Sequence, residues 1–162
     1  MDPTLLIDKK YYLNLFKNIR NNIESYIFVY KVYDIKKLND FILKSSNELN
    51  YKVYEYKLNN RNKIEDFLYY ISNSKAVITN SFHGTIFSII FNKPFISFNW
   101  KVQAVERLKS LGNLLGFRNR IISNIKNAEV RLLKTPLKIN IQILKKMKIK
   151  SMNFIRKNLN IK

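Results

Sequence analysis

The chain contains no cysteine and a single histidine. Disulfide staples, a thiolate nucleophile and a zinc site of the common Cys/His kind are therefore excluded, and no metal site or resident cofactor is expected. Glycine and proline number three each beside abundant Lys, Asn, Ile and Tyr, the pattern of AT-rich coding sequence. No Gly-x-Gly-x-x-Gly fingerprint, Walker loop or Gly-x-Ser-x-Gly elbow is present. No stretch reaches the ~20 apolar residues of a membrane span. The longest candidate, Ile86 to Phe91, is interrupted by Ser88 and stops at Asn92-Lys93. The first residues, Met1 to Asp8, lack the basic region and long apolar run of a signal peptide. A soluble, cytoplasmic protein is expected.

What is present suits one folded domain. The chain has 162 residues, and its 11 Phe and 10 Tyr supply enough large side chains to fill an interior. A net charge of +19 suggests an anionic partner such as phosphate, nucleic acid or a membrane surface, with coding bias as the competing source. The charge is densest at the end: after Arg120, Glu129 is the only acid.

Apolar periodicity predicts alternating helices and strands. Asp8 to Asn21 carries helical spacing, and Tyr26 to Tyr30 reads as a buried strand. Asp34 is placed to cap a helix carrying Ile35, Leu38, Phe41, Ile42 and Leu49. A strand over Tyr51 to Tyr56, a loop at Asn59-Asn60-Arg61-Asn62 and a short helix over Ile64 to Ile71 follow. Ala76 to Thr79 is the third strand, Phe82 to Phe91 a helix apolar nearly all round, and Pro94 to Phe98 the fourth strand. Gln103 to Leu115 is a helix closed by Gly116. Asn119 to Pro136 has no clear pattern. Leu137 to Leu159 is a basic amphipathic helix with room for a break near Ser151. The expected fold is α/β: a Rossmann-like parallel sheet flanked by helices, with residues 1–125 as the sheet domain and 126–162 as a helical extension. Internal repeats and low-complexity linkers are absent.

The histidine, His83, falls on the first turn of the Phe82 helix, directly after a strand. In open α/β sheets that edge is where ligands bind. The helix start offers unpaired N–H groups and the positive end of the dipole, with Asn80 or Ser81 as cap. Gly84 lets a ligand or another backbone come close. A bound phosphate favours the imidazolium of a histidine placed there, so His83 is a candidate general acid once an anionic substrate is bound. A half-buried structural histidine is the competing reading. Arg107, Arg118 and Arg120 have the fork geometry that carboxylate and phosphate require, although any one of so many cations can be plain surface charge. Glu65 and Asp66 fit the first turn of their helix, and Lys93 a helix end. The aromatics are interleaved at strand and helix spacing, as core rather than as a base-stacking platform, so nucleic acid is not expected as a partner.

The run Val77-Ile78-Thr79-Asn80-Ser81-Phe82-His83-Gly84-Thr85, continued through Phe91-Asn92-Lys93-Pro94-Phe95-Ile96, resembles the polysaccharide pyruvyl transferase family. There, a strand ends in Thr-Asp/Asn-Ser/Arg-Phe/Leu-His-Gly before an apolar helix, Lys-Pro and a short strand. Arg107…Leu111…Leu114-Leu115-Gly116-Phe117…Arg120 and Asp2-Pro3-Thr4-Leu5-Leu6 are similar to further segments of the family. The resemblance implies the second half of a two-domain, glycosyltransferase-B-like enzyme: a C-terminal fragment, a truncated reading frame or a separately encoded half with an N-terminal half as partner, expected to be inactive alone. It implies phosphoenolpyruvate as donor and a glycan or lipid-linked sugar as acceptor, for cell-surface glycans. His83 is the implied catalytic residue, with Asn80, Ser81, Phe82, Gly84, Thr85 and Arg107 at the substrate. Peripheral contact of the basic C-terminal helix with the inner membrane face is a further expectation. Three other readings remain: a nucleotide-sugar-binding half of a glycosyltransferase, a non-catalytic basic module that binds nucleic acid or a membrane surface, and an inert remnant that folds without activity.

Overall fold

A computed structural model describes residues 2–19, 24–57, 63–98 and 102–159. The elements run α1 (Lys9–Leu15), β1 (Tyr26–Tyr30), α2 (Lys36–Leu49), β2 (Lys52–Tyr56), α3 (Ile64–Asn73), β3 (Ala76–Thr79), α4 (Phe82–Ile90), β4 (Phe95–Phe98), α5 (Val102–Leu115), β5 (Ile121–Ile122) and α6 (Ile141–Leu159), with short 3-10 turns between some of them. The five strands form one sheet in the order β2-β1-β3-β4-β5, and every pairing is parallel. This is the α/β architecture that the alternation of strand and helix patterns predicts.

The order decides which face each helix covers. The chain moves from β1 outward to β2, then returns past β1 to β3 and continues to β4 and β5. A right-handed crossover puts its helix on one face when the chain moves one way along the sheet and on the other face when it reverses. Leu38, Phe41, Ile42 and Leu49 of α2 accordingly pack with Ile27, Val29, Ile78 and Ile96 on one face. Phe67 and Ile71 of α3, Ile86 and Phe87 of α4 and Leu108 of α5 pack with Phe28, Val77 and Phe95 on the other. The alternation of side chains along each strand feeds both cores. β1, β3 and β4 are covered on both faces, which is why they read as continuous apolar runs.

Several boundaries differ from the sequence expectation for local reasons. The α1 pattern is helical only from Lys9 to Leu15, with Asp8 Oδ1 accepting from Lys10 N–H at 2.9 Å as cap. The expected stretch to Asn21 and the loop Asn59 to Asn62 lie in part or whole outside the described residues. Asp34 does not cap α2. The N-cap is Ile35, and Asp34 instead accepts from Ile35 N–H and pairs with Lys31 at 3.1 Å. Asp66 does serve its helix start, accepting from Lys63 N–H at 3.2 Å. Lys93 donates at 2.9 Å to the carbonyl of Ser74, the C-cap of α3, so it serves the end of α3 rather than that of α4. Gly116 ends α5 with φ of 87°, in the left-handed region that favours glycine. The helix α6 begins at Ile141 and runs through Ser151 without a break.

The least legible segment, Asn119 to Pro136, is organised by Arg120. Its buried guanidinium donates to the carbonyls of Phe95 (3.3 Å), Leu132 (2.6 Å), Thr135 (2.8 Å) and Pro136 (3.2 Å). Those bonds draw the 130–136 segment onto β4, where Val130, Leu132 and Leu133 complete the core on the α2 side. Arg120 is thus neither a surface charge nor an anion ligand; its charge is satisfied by backbone oxygens. Among the described residues no helix is long and apolar enough to cross a membrane.

Two outcomes follow from this packing. Arg120→Leu leaves four carbonyls without their donor and is expected to cost about 2–3 kcal/mol in urea unfolding. Burial raises the pKa of Tyr26, Tyr30 and Tyr56 above the ordinary phenol value, and Tyr26 also donates to the Tyr70 carbonyl at 2.6 Å. A raised folded-state pKa gives stability that is complete below the unfolded value of about 10 and lost above it. Circular dichroism should therefore show unfolding on raising the pH beyond about 10, with the last of the tyrosinate absorbance appearing in the same step. Full tyrosinate absorbance of all ten tyrosines while the fold persists would contradict the burial.

Candidate functional site

The order β2-β1-β3-β4-β5 reverses direction between β1 and β3. The crevice at the carboxyl ends of those two strands is where open parallel sheets place their ligands, because the loops after the two strands leave toward opposite faces. The motif that carries His83 occupies this position.

Its construction begins with Thr79, the last residue of β3. In register, Thr79 lies opposite Tyr30 of β1. Its hydroxyl donates to the Tyr30 carbonyl at 2.7 Å and accepts from Ser81 N–H at 3.0 Å, which bends the chain out of the strand. Asn80 then spans the crevice. Its Oδ1 accepts from Val32 N–H and its Nδ2 donates to the Tyr33 carbonyl, each at 2.7 Å, so one buried amide fixes the loop after β1 to the end of β3. Ser81 caps α4, with Oγ accepting from Gly84 N–H at 3.3 Å. Between Asn80 and Ser81 as cap, the structure selects Ser81. The Thr85 hydroxyl donates to the Ser81 carbonyl at 3.0 Å and lies 2.7 Å from the Ser97 hydroxyl of β4.

Gly84 is explained by contact with the protein itself. A Cβ built there would lie 2.4 Å from Thr79 Oγ1 and 3.1 Å from Thr79 Cβ. The close backbone approach that glycine permits is therefore that of α4 onto β3.

With these side chains committed to the scaffold, His83 is the exposed one of the motif. Phe82 is half-buried and touches the His83 ring edge-on, with centroids 5.6 Å apart. The Arg107 guanidinium lies 4.5 Å from the centroid of the Phe82 ring, an arrangement that orients a cation against an aromatic face. Arg107 also faces Asp2 across 3.8 Å, yet its side chain remains 65% exposed and can reach a ligand. Asp2 itself is held by accepting from Thr4 N–H at 3.0 Å. An open groove of about 550 Å³ begins at Asp2, Phe82 and Arg107 and continues along Leu111, Leu114 and Met147.

The candidates thus separate. His83, the half-buried Phe82 and Arg107 form one row of ring and cation contacts, whereas Asn80, Ser81, Gly84 and Thr85 shape the turn beneath it. Arg118 donates to the Ile121 carbonyl at 3.2 Å. Two contributors were not singled out from the sequence as site residues: Thr79, a hydroxyl at the end of a buried strand, and Asp2. A third is the apolar wall of Leu111, Leu114 and Met147, of which Leu111 and Leu114 stand in a family-like segment and Met147 in a helical pattern, none with a site role.

The family model for polysaccharide pyruvyl transferase matches residues 1–102 of the chain. The chain belongs to the polysaccharide pyruvyl transferase family. The matched region takes in the first 3-10 turn with Asp2, four of the five strands and the whole β3–α4 turn with His83. Arg107, β5 and α6 come after it. Comparisons with curated proteins and with solved structures returned no match. Family membership makes the chain a transferase domain, and the turn is the part of that domain whose construction is given above.

Because Gly84 is required by contact with Thr79, Gly84→Ala should destabilise the domain by about 1–3 kcal/mol in denaturant unfolding, the ordinary cost of overpacking. A neutral substitution would mean that α4 and β3 can separate without loss.

Proposed function

We propose that the β3–α4 edge is the donor side of a pyruvyl transferase site that takes phosphoenolpyruvate. The observation that carries the reading is the division of labour within one turn: the neighbours of His83 hold the backbone, and His83 projects into solvent at the carboxyl edge of the switch point. A rigid frame around one exposed imidazole is what proton transfer or phosphate contact needs. Phosphoenolpyruvate carries a carboxylate and a phosphate. The start of α4 favours one anion, and Arg107, braced on Phe82, suits the other.

In this reading the enol carbon takes a proton and a sugar hydroxyl adds at the neighbouring carbon. The second hydroxyl then closes the ketal as phosphate departs. His83 is the proton donor or phosphate contact. The acceptor is a sugar of a glycan or of a lipid-linked precursor at the cytoplasmic side, and a second Rossmann-like half supplies its wall of the cleft. Without such a half the domain binds donor and does not turn it over.

Calorimetry with phosphoenolpyruvate tests this. Binding by the wild type is expected, with loss in His83→Ala and weakening of about tenfold in Arg107→Ala, the size of one charge-assisted contact. His83 ring resonances should shift on titration of the ligand. Absence of binding by the wild type, or binding that ignores both substitutions, overturns the assignment.

A further inference from the structure

The helix α6 has no buried residue along its length. Ile143, Leu144 and Met147 rest partly buried against the body. The exposed part of its surface combines two kinds of side chain that a helix facing only water has no reason to combine. Every charged residue from 141 to 159 is basic, and Lys145, Lys146, Lys150, Arg156 and Lys157 are exposed. Among them stand large exposed apolar side chains, Ile149 at 61% and Phe154 at 69%, with Ile141, Met152 and Leu159. Beside the first turns of α6 lies a groove of about 560 Å³ whose apolar lining includes Ile7, Ile139 and Ile141 and whose cations are Lys9, Lys138 and Lys148.

We infer that the exposed face of α6, with this adjoining groove, docks on an anionic lipid bilayer. The chemistry matches on both counts. Lysine and arginine meet the phosphates of anionic lipids, and apolar side chains between them enter the headgroup and acyl boundary. Nucleic acid would satisfy the cations and leave Ile141, Ile149 and Met152 without a partner. An acidic protein surface would need a matching apolar patch, whereas a bilayer supplies phosphate and hydrocarbon together. This docking is independent of the donor-site reading, because none of the five exposed cations named above lines the Phe82–Arg107 groove.

Flotation with vesicles of phosphatidylglycerol and phosphatidylcholine, against vesicles of phosphatidylcholine alone, reads the inference directly. The full chain should float with the anionic vesicles only. Replacing Lys145, Lys146, Lys150, Arg156 and Lys157 by Gln should weaken binding by at least about tenfold. Replacing five exposed lysines elsewhere (Lys36, Lys37, Lys44, Lys63 and Lys75) by Gln leaves the same net charge and should change binding little. Ile149→Ser with Phe154→Ser should also release the protein, and because both side chains are exposed the fold should survive, as circular dichroism will report. Equal loss from the two lysine sets would reduce the effect to overall charge and overturn the inference. So would binding indifferent to Ile149 and Phe154, or no flotation with concentration-dependent self-association or tighter binding to an oligonucleotide. Phosphoenolpyruvate calorimetry on the α6 variants should match the wild type, which keeps this test separate from that of the donor site.

Discussion

The contact on which the site depends is the one between Thr79 and Gly84. The Thr79 hydroxyl ties β3 to β1 through the Tyr30 carbonyl and turns the chain by accepting from Ser81 N–H. The same oxygen occupies the space where any side chain at position 84 would stand. One hydroxyl therefore sets the strand pairing, the bend and the closeness of the helix. Without that closeness α4, apolar on nearly every side, could not bury Ile86, Phe87 and Ile89 against the sheet. The exposure of His83 is the complement of this burial. The helix hides every residue it can, and its first turn is the part that reaches past the strand end.

Asn80 extends the constraint across the crevice. In a sheet of this order the loops after β1 and β3 diverge to opposite faces, and the gap between them would otherwise be free to widen. A buried amide with both its oxygen and its nitrogen bonded to the far loop closes it at fixed width. Lys31 secures the same loop from its other side, pairing with Asp34 at 3.1 Å and Glu55 at 3.2 Å and donating to Asn39 at 2.7 Å. The acidic partners of Lys31 lie on the β1–β2 side of the edge, whereas Arg107 has Asp2 as its acidic partner in the groove beside Phe82.

The sequence showed the strands most clearly where they are covered on both faces, because Tyr26-Ile27-Phe28-Val29 and Ala76-Val77-Ile78-Thr79 can be little else. It showed the motif and the place of His83 on the first turn of α4, but not the exposure of its side chain, for which a half-buried structural histidine was the competing reading. It did not show β5, two residues long, or the course of 119–136. The organising group there is Arg120, and a buried cation bonded only to carbonyls leaves no trace in a hydropathy pattern. Asp34 misled for a related reason: an aspartate before a helix reads as a cap, but a nearly buried lysine competes for its carboxylate. Asn80 and Ser81 look equivalent as caps in sequence and differ only through what lies across the crevice. Arg120 and Asn80 were illegible because their partners lie 12 or more residues away, and Asp34 because local partners compete for one carboxylate.

Leu5 connects the two grooves of the molecule. It lines the one that begins at Phe82 and Arg107 and the one beside the first turns of α6. The helix α6 lies between them, with Met147 on the first and Leu144 and Lys148 on the second. The helix α6 is held by a row of partly buried side chains and contributes none that is fully buried. The buried frame of Thr79, Asn80 and Gly84 holds the turn that presents Phe82 to the Arg107 groove, and α6 adds Met147 to the same groove.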